Sequence, residues 1–322
     1  MRTPNRFQRV FIIGAYLPNG GTLMAYHVGR ILQRDFGIRA IAVSVADEHA
    51  DHGIHAYDTR MPQISQQQME HDIRDDDILI VNPSFSNQCF GWRLPGFKLC
   101  YVQGFNTYPL LDRRLDAYVA VSDFVADYLR AVYALDVPVI APFIDLDKLP
   151  LAPEWEQRPA HLVLPYRKGI AEAWEHSWQR LRDIVSRHSA HITFAEPLTG
   201  GAIPQTELLA RIGAVRYFLT LSAAEGFGLV PLEAMAMGAT VIGYDGYGGR
   251  HYMRPDENCR VVPYAQIERV ADMLIDAVHN PASSVRLAAQ GRATAAGYDY
   301  ATFRDAWIAY FSNALGINPS RH

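Results

Sequence analysis

Lysine is almost missing from this chain. Its 322 residues hold Lys98, Lys148 and Lys168 and no others, so arginine supplies nearly all of the 30 basic side chains. The one lysine of the second half, Lys168, therefore asks for a chemical reason. Cysteine is scarce as well: Cys89, Cys100 and Cys259 form no C-x-x-C pair, which excludes a disulfide framework and suits a reducing compartment. There is no basic excess, since 30 Lys and Arg face 34 Asp and Glu for a net charge of -4, and neither half of the chain is positive. A diffuse field able to hold nucleic acid is excluded, and any phosphate must be bound locally. Long apolar runs are missing too; nothing approaches the roughly 20 residues of a membrane helix. The start, MRTPNRFQRVFIIGAY, has basic residues before a short apolar run that stops at Pro18, so residues 9–16 read as a strand and not as a signal peptide. The expected location is the cytoplasm, with peripheral membrane contact left open.

What is present is an ordinary globular composition, 49% hydrophobic and 20% charged, in a length that suggests about two domains. Short β-branched runs at residues 10–15, 40–45, 78–82, 98–103 and 117–121 read as buried strands, and amphipathic stretches such as 22–36 and 122–133 read as helices between them. Five prolines then break the pattern: Pro138, Pro142, Pro150, Pro153 and Pro159. Beyond them the alternation resumes, with strands at 161–164, 191–194, 216–221 and 240–244 and helices at 170–186, 206–212 and 229–237. PYRKG reads as the turn after the first of these strands. Two α/β halves joined by a Pro-rich linker predict two Rossmann-like domains, with ligand bound where strands end at their carboxyl edges. The expected boundaries are 1–140 for the first domain, 141–153 for the linker and 154–298 for the second. A last helix over 300–316 carries Phe303, Trp307, Tyr310 and Phe311 as an apolar stripe.

The segment with most chemistry is SAAEGFGLVPLEAMAMG, residues 222–238. A strand ends at Leu221, Gly226 and Gly228 permit a tight turn, and Pro231 sits in the first turn of the following helix, where a missing N–H is harmless. Such a helix start offers free N–H groups and a positive dipole end to a phosphate. Glu225 and Glu233 flank it. Two carboxylates repel a phosphate, so they suit hydroxyl groups of a sugar or ribose; the alternative is a dipole complement at Glu225 and a solvated Glu233. In PYRKG, Arg167 and Lys168 pair a planar fork with a compact point charge, a combination that neutralises a diphosphate. PNGGT, with Gly20 and Gly21, offers flexible amides between the first strand and helix. The loops 86–92 and 103–109 mix amides with aromatics, as carbohydrate surfaces and packed loops both do. Twelve histidines show no HExxH or H-x3-H pattern, so no metal is assigned.

EGFGLVPLEAMAMG resembles the E-x7-E motif of retaining GT-B glycosyltransferases, most closely glycosyltransferase family 4, with Glu225 and Glu233 as its two glutamates. GYDGYGG, residues 243–249, is similar to the Gly-rich turn that follows the next strand in that family. The resemblance implies two Rossmann-like domains facing across a cleft, the first binding acceptor and the second binding a nucleotide diphosphate-sugar, with the C-terminal helix packing back on the first. It implies further that Glu233 binds the ribose hydroxyls and that Glu225 contacts the transferred sugar. The amides of Gly226, Phe227, Gly228 and Leu229 would meet diphosphate or sugar. Gly20 and Gly21 match the family's N-terminal Gly-rich loop. Where the family often has a histidine after an N-terminal strand this chain offers Gln103, and a retaining reaction tolerates this because the leaving phosphate oxygen accepts the acceptor's proton. One departure is that Arg167 and Lys168 adjoin, where the family separates its Arg and Lys.

The function this implies is a metal-independent, retaining hexosyltransferase with a glycan, lipid-linked or small-molecule acceptor and no cofactor beyond its nucleotide-sugar co-substrate. A nucleotide-sugar epimerase and a non-catalytic nucleotide-sugar or glycan-binding partner are the alternatives. A NAD dehydrogenase is disfavoured, because the first strand lacks GxGxxG.

Overall fold

The computed structural model describes residues 6–14, 20–45, 61–168, 171–199 and 203–319. The chain divides into two compact units, the first formed by Met1–Phe143 with Tyr300–His322 and the second by Ile144–Asp299.

In the first unit the elements run β1 (Arg9–Ile13), α1 (Gly20–Phe36), β2 (Arg39–Ser44), β3 (Gln63–Ser65), α2 (Gln66–Asp72), β4 (Asp77–Val81), α3 (Phe90–Arg93), β5 (Phe97–Val102), β6 (Ala117–Ala120) and α4 (Asp123–Tyr133). The six strands form a parallel sheet in the order β3-β2-β1-β4-β5-β6, the doubly wound order of a Rossmann domain. Central strands are buried on both faces, so β4, DILIV, carries no alternation. Capping residues set the helix starts. Ser65 and Gln68 close a capping box on α2, and Ser122 accepts from the Val125 amide to start α4. The first strand ends at Ile13; Ala15, Tyr16, Pro18 and Asn19, counted with it or with the PNGG turn in the sequence, lie outside the described residues. Residues of the Pro-rich stretch join the sheet's edge, where Ala120 donates to Pro138 O and Ile140 donates to Ala120 O, both at 2.9 Å. A proline is tolerated there because an edge strand leaves one side without a partner.

The last helix of the chain, α10 (Tyr300–Leu315 in the sequence), belongs to this first unit. Phe303, Trp307 and Phe311 are its buried stripe. Trp307 meets Tyr101 of β5 edge-on at 5.1 Å, Phe311 meets Phe36 of α1 at 6.0 Å, and Arg304 grips both carboxylate oxygens of Asp35.

The second unit runs β7 (Leu162–Arg167), α5 (Ala171–His188), β8 (Thr193–Phe194), β9 (Leu198–Thr199), α6 (Gln205–Gly213), β10 (Tyr217–Thr220), α7 (Leu229–Ala236), β11 (Thr240–Tyr244), β12 (Arg260–Val262), α8 (Ile267–His279) and α9 (Pro281–Ala295). Its parallel sheet has the order β12-β11-β10-β7-β8, with β9 also pairing β7. Trp155, Trp174, Trp178, Leu219 and Leu274 anchor the core between sheet and helices.

Pro165 and Tyr166 are in strand, against the turn expected for PYRKG. The neighbouring strand accommodates the proline. Ala195 donates to Val163 O, pairing resumes at Leu198 opposite Tyr166, and the break between β8 and β9 thus falls beside Pro165, which has no N–H to offer.

Trp307 is fully buried, yet its indole N–H has no acceptor among the described residues. Trp307→Ala should cost about 3 to 5 kcal/mol of stability through the cavity it leaves. Trp307→Phe should cost far less, because it also removes an unsatisfied donor. Urea unfolding of the two variants checks this; equal losses would contradict it.

Candidate functional site

The second unit's strand order reverses between β7 and β10. From β7 the chain moves outward to β8, and from β10 it moves the other way to β11 and β12. Connections that leave two adjacent strands in opposite directions open a crevice at the carboxyl ends, where α/β sheets bind ligands. Thr220 and Tyr166 are the paired residues at that edge. Lys168 follows one strand and the loop 221–228 follows the other.

That loop is shaped by a second loop wrapped against it. The Glu225 amide donates to Gly246 O at 2.8 Å, and the Gly248 amide donates to Glu225 O at 3.1 Å. The backbones approach so closely that a Cβ on Gly248 would stand 2.2 Å from Gly226 O, so no larger residue fits without displacing one loop. Gly228 takes the left-handed conformation, φ 90°, and stands at the N-cap of α7, where as a glycine it has no side chain to cap the helix. Its carbonyl accepts from Tyr252 Oη at 2.6 Å. The GYDGYGG segment is therefore the scaffold of the EGFG turn. Tyr247 within it holds φ 63°, a conformation unfavourable for a residue with a Cβ, with its amide on Asp245 Oδ1.

The carboxylates are buried and unequally satisfied. Glu225, 6% exposed, receives Ser222 Oγ on Oε1 at 2.8 Å and Lys168 Nζ on Oε2 at 2.5 Å. Glu233, 5% exposed, receives Gln205 Nε2 on Oε1 at 2.7 Å, and this is the only hydrogen bond to its carboxylate among the described residues. Its burial removes the alternative of a solvated helix carboxylate. Burial also pushes the Glu233 carboxyl up from 4.5 to about 7, against the opposing pull of the Gln205 hydrogen bond and the Lys168 charge. The packed surroundings of the Lys168 ammonium work against its charge. Glu225 outweighs them, with Tyr166 and Glu233 adding to it, and the lysine titrates above its usual value. The lysine side chain is 49% exposed, so it stands at the rim with one carboxylate behind it.

Of the residues singled out in the sequence, Lys168, Glu225, Glu233 and the 226–229 turn come together at this one edge. Arg167 does not join them. Successive residues of a strand point to opposite faces, and the Arg167 guanidinium lies 5.4 Å from the Trp174 ring centre, beside a shallow cavity of about 650 Å³ lined by Trp178, Phe194 and Thr199. Gly20, Gly21 and Gln103 belong to the first unit. The two glycines form the first turn of α1, and Gln103 follows β5 with its buried Nε2 lacking an acceptor among the described residues. Sequence reasoning missed Gln205, Ser222 and Tyr252. Ser222 stands three residues before Glu225, a spacing that could have flagged it; the other two are brought in by packing alone. No group of three or more His, Cys, Asp or Glu among the described residues could hold a metal ion, and none of the described helices is long and apolar enough to cross a membrane.

Comparison with known proteins agrees with this geometry. Residues 198–294 match the family model described as glycosyl transferases group 1. No curated protein matches the chain. Among solved structures, HepE from Anabaena in complex with UDP and glucose is similar over 95% of this chain and 100% of its own, at 12% identity and a TM-score of 0.72. Sucrose-phosphate synthase from Thermosynechococcus elongatus is similar over 96% of this chain and 99% of its own, at 15% identity and a TM-score of 0.69. TarM matches 76% of this chain at 15% identity with a TM-score of 0.60, and there the match spans only 57% of TarM. These likenesses establish the fold: two parallel-sheet Rossmann-like domains of the kind found in GT-B glycosyltransferases.

The raised Glu233 carboxyl has a consequence for stability. Between pH 4.5 and 7 the folded state holds more protons than the unfolded state, so this group makes folding less favourable as pH rises through that window. Glu233→Gln abolishes the effect. The variant should gain on the wild type by up to about 3 kcal/mol between pH 4.5 and pH 8, at 1.36 kcal/mol per pH unit. Parallel stability curves would contradict the assignment.

Proposed function

We propose that this protein is a retaining glycosyltransferase that moves a sugar from a nucleoside diphosphate-sugar to an acceptor hydroxyl. The observation that carries the reading is the meeting of Lys168, Glu225, Glu233 and the uncapped start of α7 at the switch point of the second sheet. The match of residues 198–294 to the group 1 family supports it, as do neighbours of the same fold crystallised with UDP-glucose or with UDP and a sugar.

In this reading the second unit binds the donor and the first unit binds the acceptor. Lys168 exchanges its rim contact with Glu225 for the diphosphate, and the α7 amides face the same charge. Glu233 accepts from the ribose hydroxyls and Glu225 from the transferred sugar. The bond from the anomeric carbon to the phosphate oxygen breaks, and the acceptor oxygen forms its bond on the same face. The acceptor's proton passes to the leaving phosphate oxygen, so no side-chain base is needed. Catalysis rests on donors already in place where negative charge grows on the leaving group. Lys168 and the helix start supply that charge stabilisation with no metal in the scheme. The acceptor is a carbohydrate, a lipid-linked sugar or a small molecule, reached through the first turn of α1 at Gly20 and Gly21 and the segment after β5 at Gln103. Three unpaired cysteines fit a cytoplasmic setting.

Lys168→Ala should weaken binding of a nucleoside diphosphate by about 1.5 to 3 kcal/mol, the scale of a hydrogen bond to a charged group. Arg167→Ala, stacked on Trp174, should change it far less. Glu225→Gln should depress turnover more than nucleotide affinity, and the product's anomeric proton coupling, read by NMR, should report retention. Calorimetry and donor-consumption assays check these outcomes. Unchanged affinity in the Lys168 variant would refute the diphosphate assignment; interconversion of free nucleotide sugars would make the protein an epimerase, and binding without turnover a binding partner.

A further inference from the structure

Glu233 is a buried carboxylate with one oxygen held and one oxygen unengaged by any described residue. The holder, Gln205, is the first residue of α6, an element that neither begins nor ends at the site's loops. Twenty-eight positions separate the two in sequence, and the contact is a side-chain amide to a carboxylate at 2.7 Å. The charged and titratable groups whose fields reach Glu233 or its neighbours are Lys168 and Tyr166 at the end of β7, Glu225 in the preceding loop, and Tyr252 beyond β11. Lys168 donates to Glu225 and acts on Glu233 through its charge alone. Among the described residues, Gln205 is the one group that donates directly to the Glu233 carboxylate, and it holds Oε1.

We infer that Gln205 is a positioning residue, which fastens Oε1 of Glu233 so that Oε2 is presented, ionised, to a pair of vicinal hydroxyls on the bound nucleoside. A carboxylate that accepts from both hydroxyls of a cis-diol must be deprotonated and correctly turned, because a protonated carboxyl offers one acceptor less and competes as a donor. The amide of Gln205 donates to the ionised form and so favours it, opposing the burial that favours the neutral form. Gln205 therefore keeps hydroxyl recognition working at neutral pH in a site dry enough to make that recognition selective. The inference rests on the nucleotide-binding reading above and goes beyond it in naming a residue outside the conspicuous motif.

The test uses Gln205→Met, which keeps length and removes the donor, with Glu233→Gln and the double variant. UDP, ADP, GDP and CDP are titrated by calorimetry on the wild type, and the tightest is carried forward together with its 2′,3′-dideoxy form. Gln205→Met should bind the ribonucleotide severalfold more weakly at pH 7, where loss of the hydrogen bond both frees the carboxyl and favours its protonated form, and by a smaller factor at pH 9, where only the orientation is lost. The penalty should disappear with the dideoxy ligand and in the Glu233→Gln background, where there is no carboxylate to orient. A loss that is equal at both pH values, or equal for both ligands, would mean that Gln205 only supports α6 and would overturn the inference. No binding of any diphosphate to the wild type would instead overturn the nucleotide reading on which it rests.

Discussion

The second unit is arranged around one constraint: Glu225 is buried at the carboxyl edge of a sheet, and each of its polar groups needs a partner there. Ser222 and Lys168 serve its two carboxylate oxygens, while Gly246 and Gly248 serve its backbone amide and carbonyl. The partners come from three stretches of chain, so satisfying this residue draws together the end of β7, the loop after β10 and the loop after β11. The absence of side chains on the glycines is what lets the two loops lie in contact. Once they do, the turn at residues 226–228 is fixed, and with it the direction in which α7 starts.

Glu225 and Glu233 lie one helical run apart yet are treated differently by their surroundings. The first is tied by an ammonium and a hydroxyl and is part of the scaffold as well as the wall of the site. The second is tied by a single amide, which leaves it costly to bury in charged form and open to a ligand that brings hydroxyl donors. That asymmetry is the physical basis for giving them different tasks. Lys168 links the two: it touches Glu225, its field reaches Glu233, and half of its side chain is open to solvent, so an incoming anion can compete for it without dissecting the core. In a chain that otherwise uses arginine, a compact ammonium is suited to a contact that must be exchanged.

Much of this was legible in the sequence because its causes are local. The strand ending at Leu221, the glycines at 226 and 228 and Pro231 announce a turn into a helix start whatever the rest of the chain does, and the two-domain α/β plan follows from alternating strand and helix patterns. What was not legible depends on packing between distant segments. Arg167 looked like a partner of Lys168 by adjacency, but the strand runs on through Pro165 and Tyr166 and turns its alternate side chains apart. Gln205 carries no spacing signal, since its contact with Glu233 exists only after α6 has docked beside α7. Residues 245–299 drew no element assignments beyond their Gly-rich turn, although β12, α8 and α9 complete the sheet edge and its cover.

The central claim is that the carboxyl edge of the second sheet, at Lys168 and residues 225–233, is where a nucleoside diphosphate binds. Amide hydrogen exchange with and without saturating UDP, ADP, GDP or CDP tests it most directly, because it localises the ligand without presupposing which side chains matter. The account predicts strong protection of the amides of Gly226, Phe227, Gly228 and Leu229 and of those around Gln205 and Lys168 with at least one of these ligands. Protection confined to residues 6–143, with residues 225–233 exchanging as they do in the free protein, would contradict it.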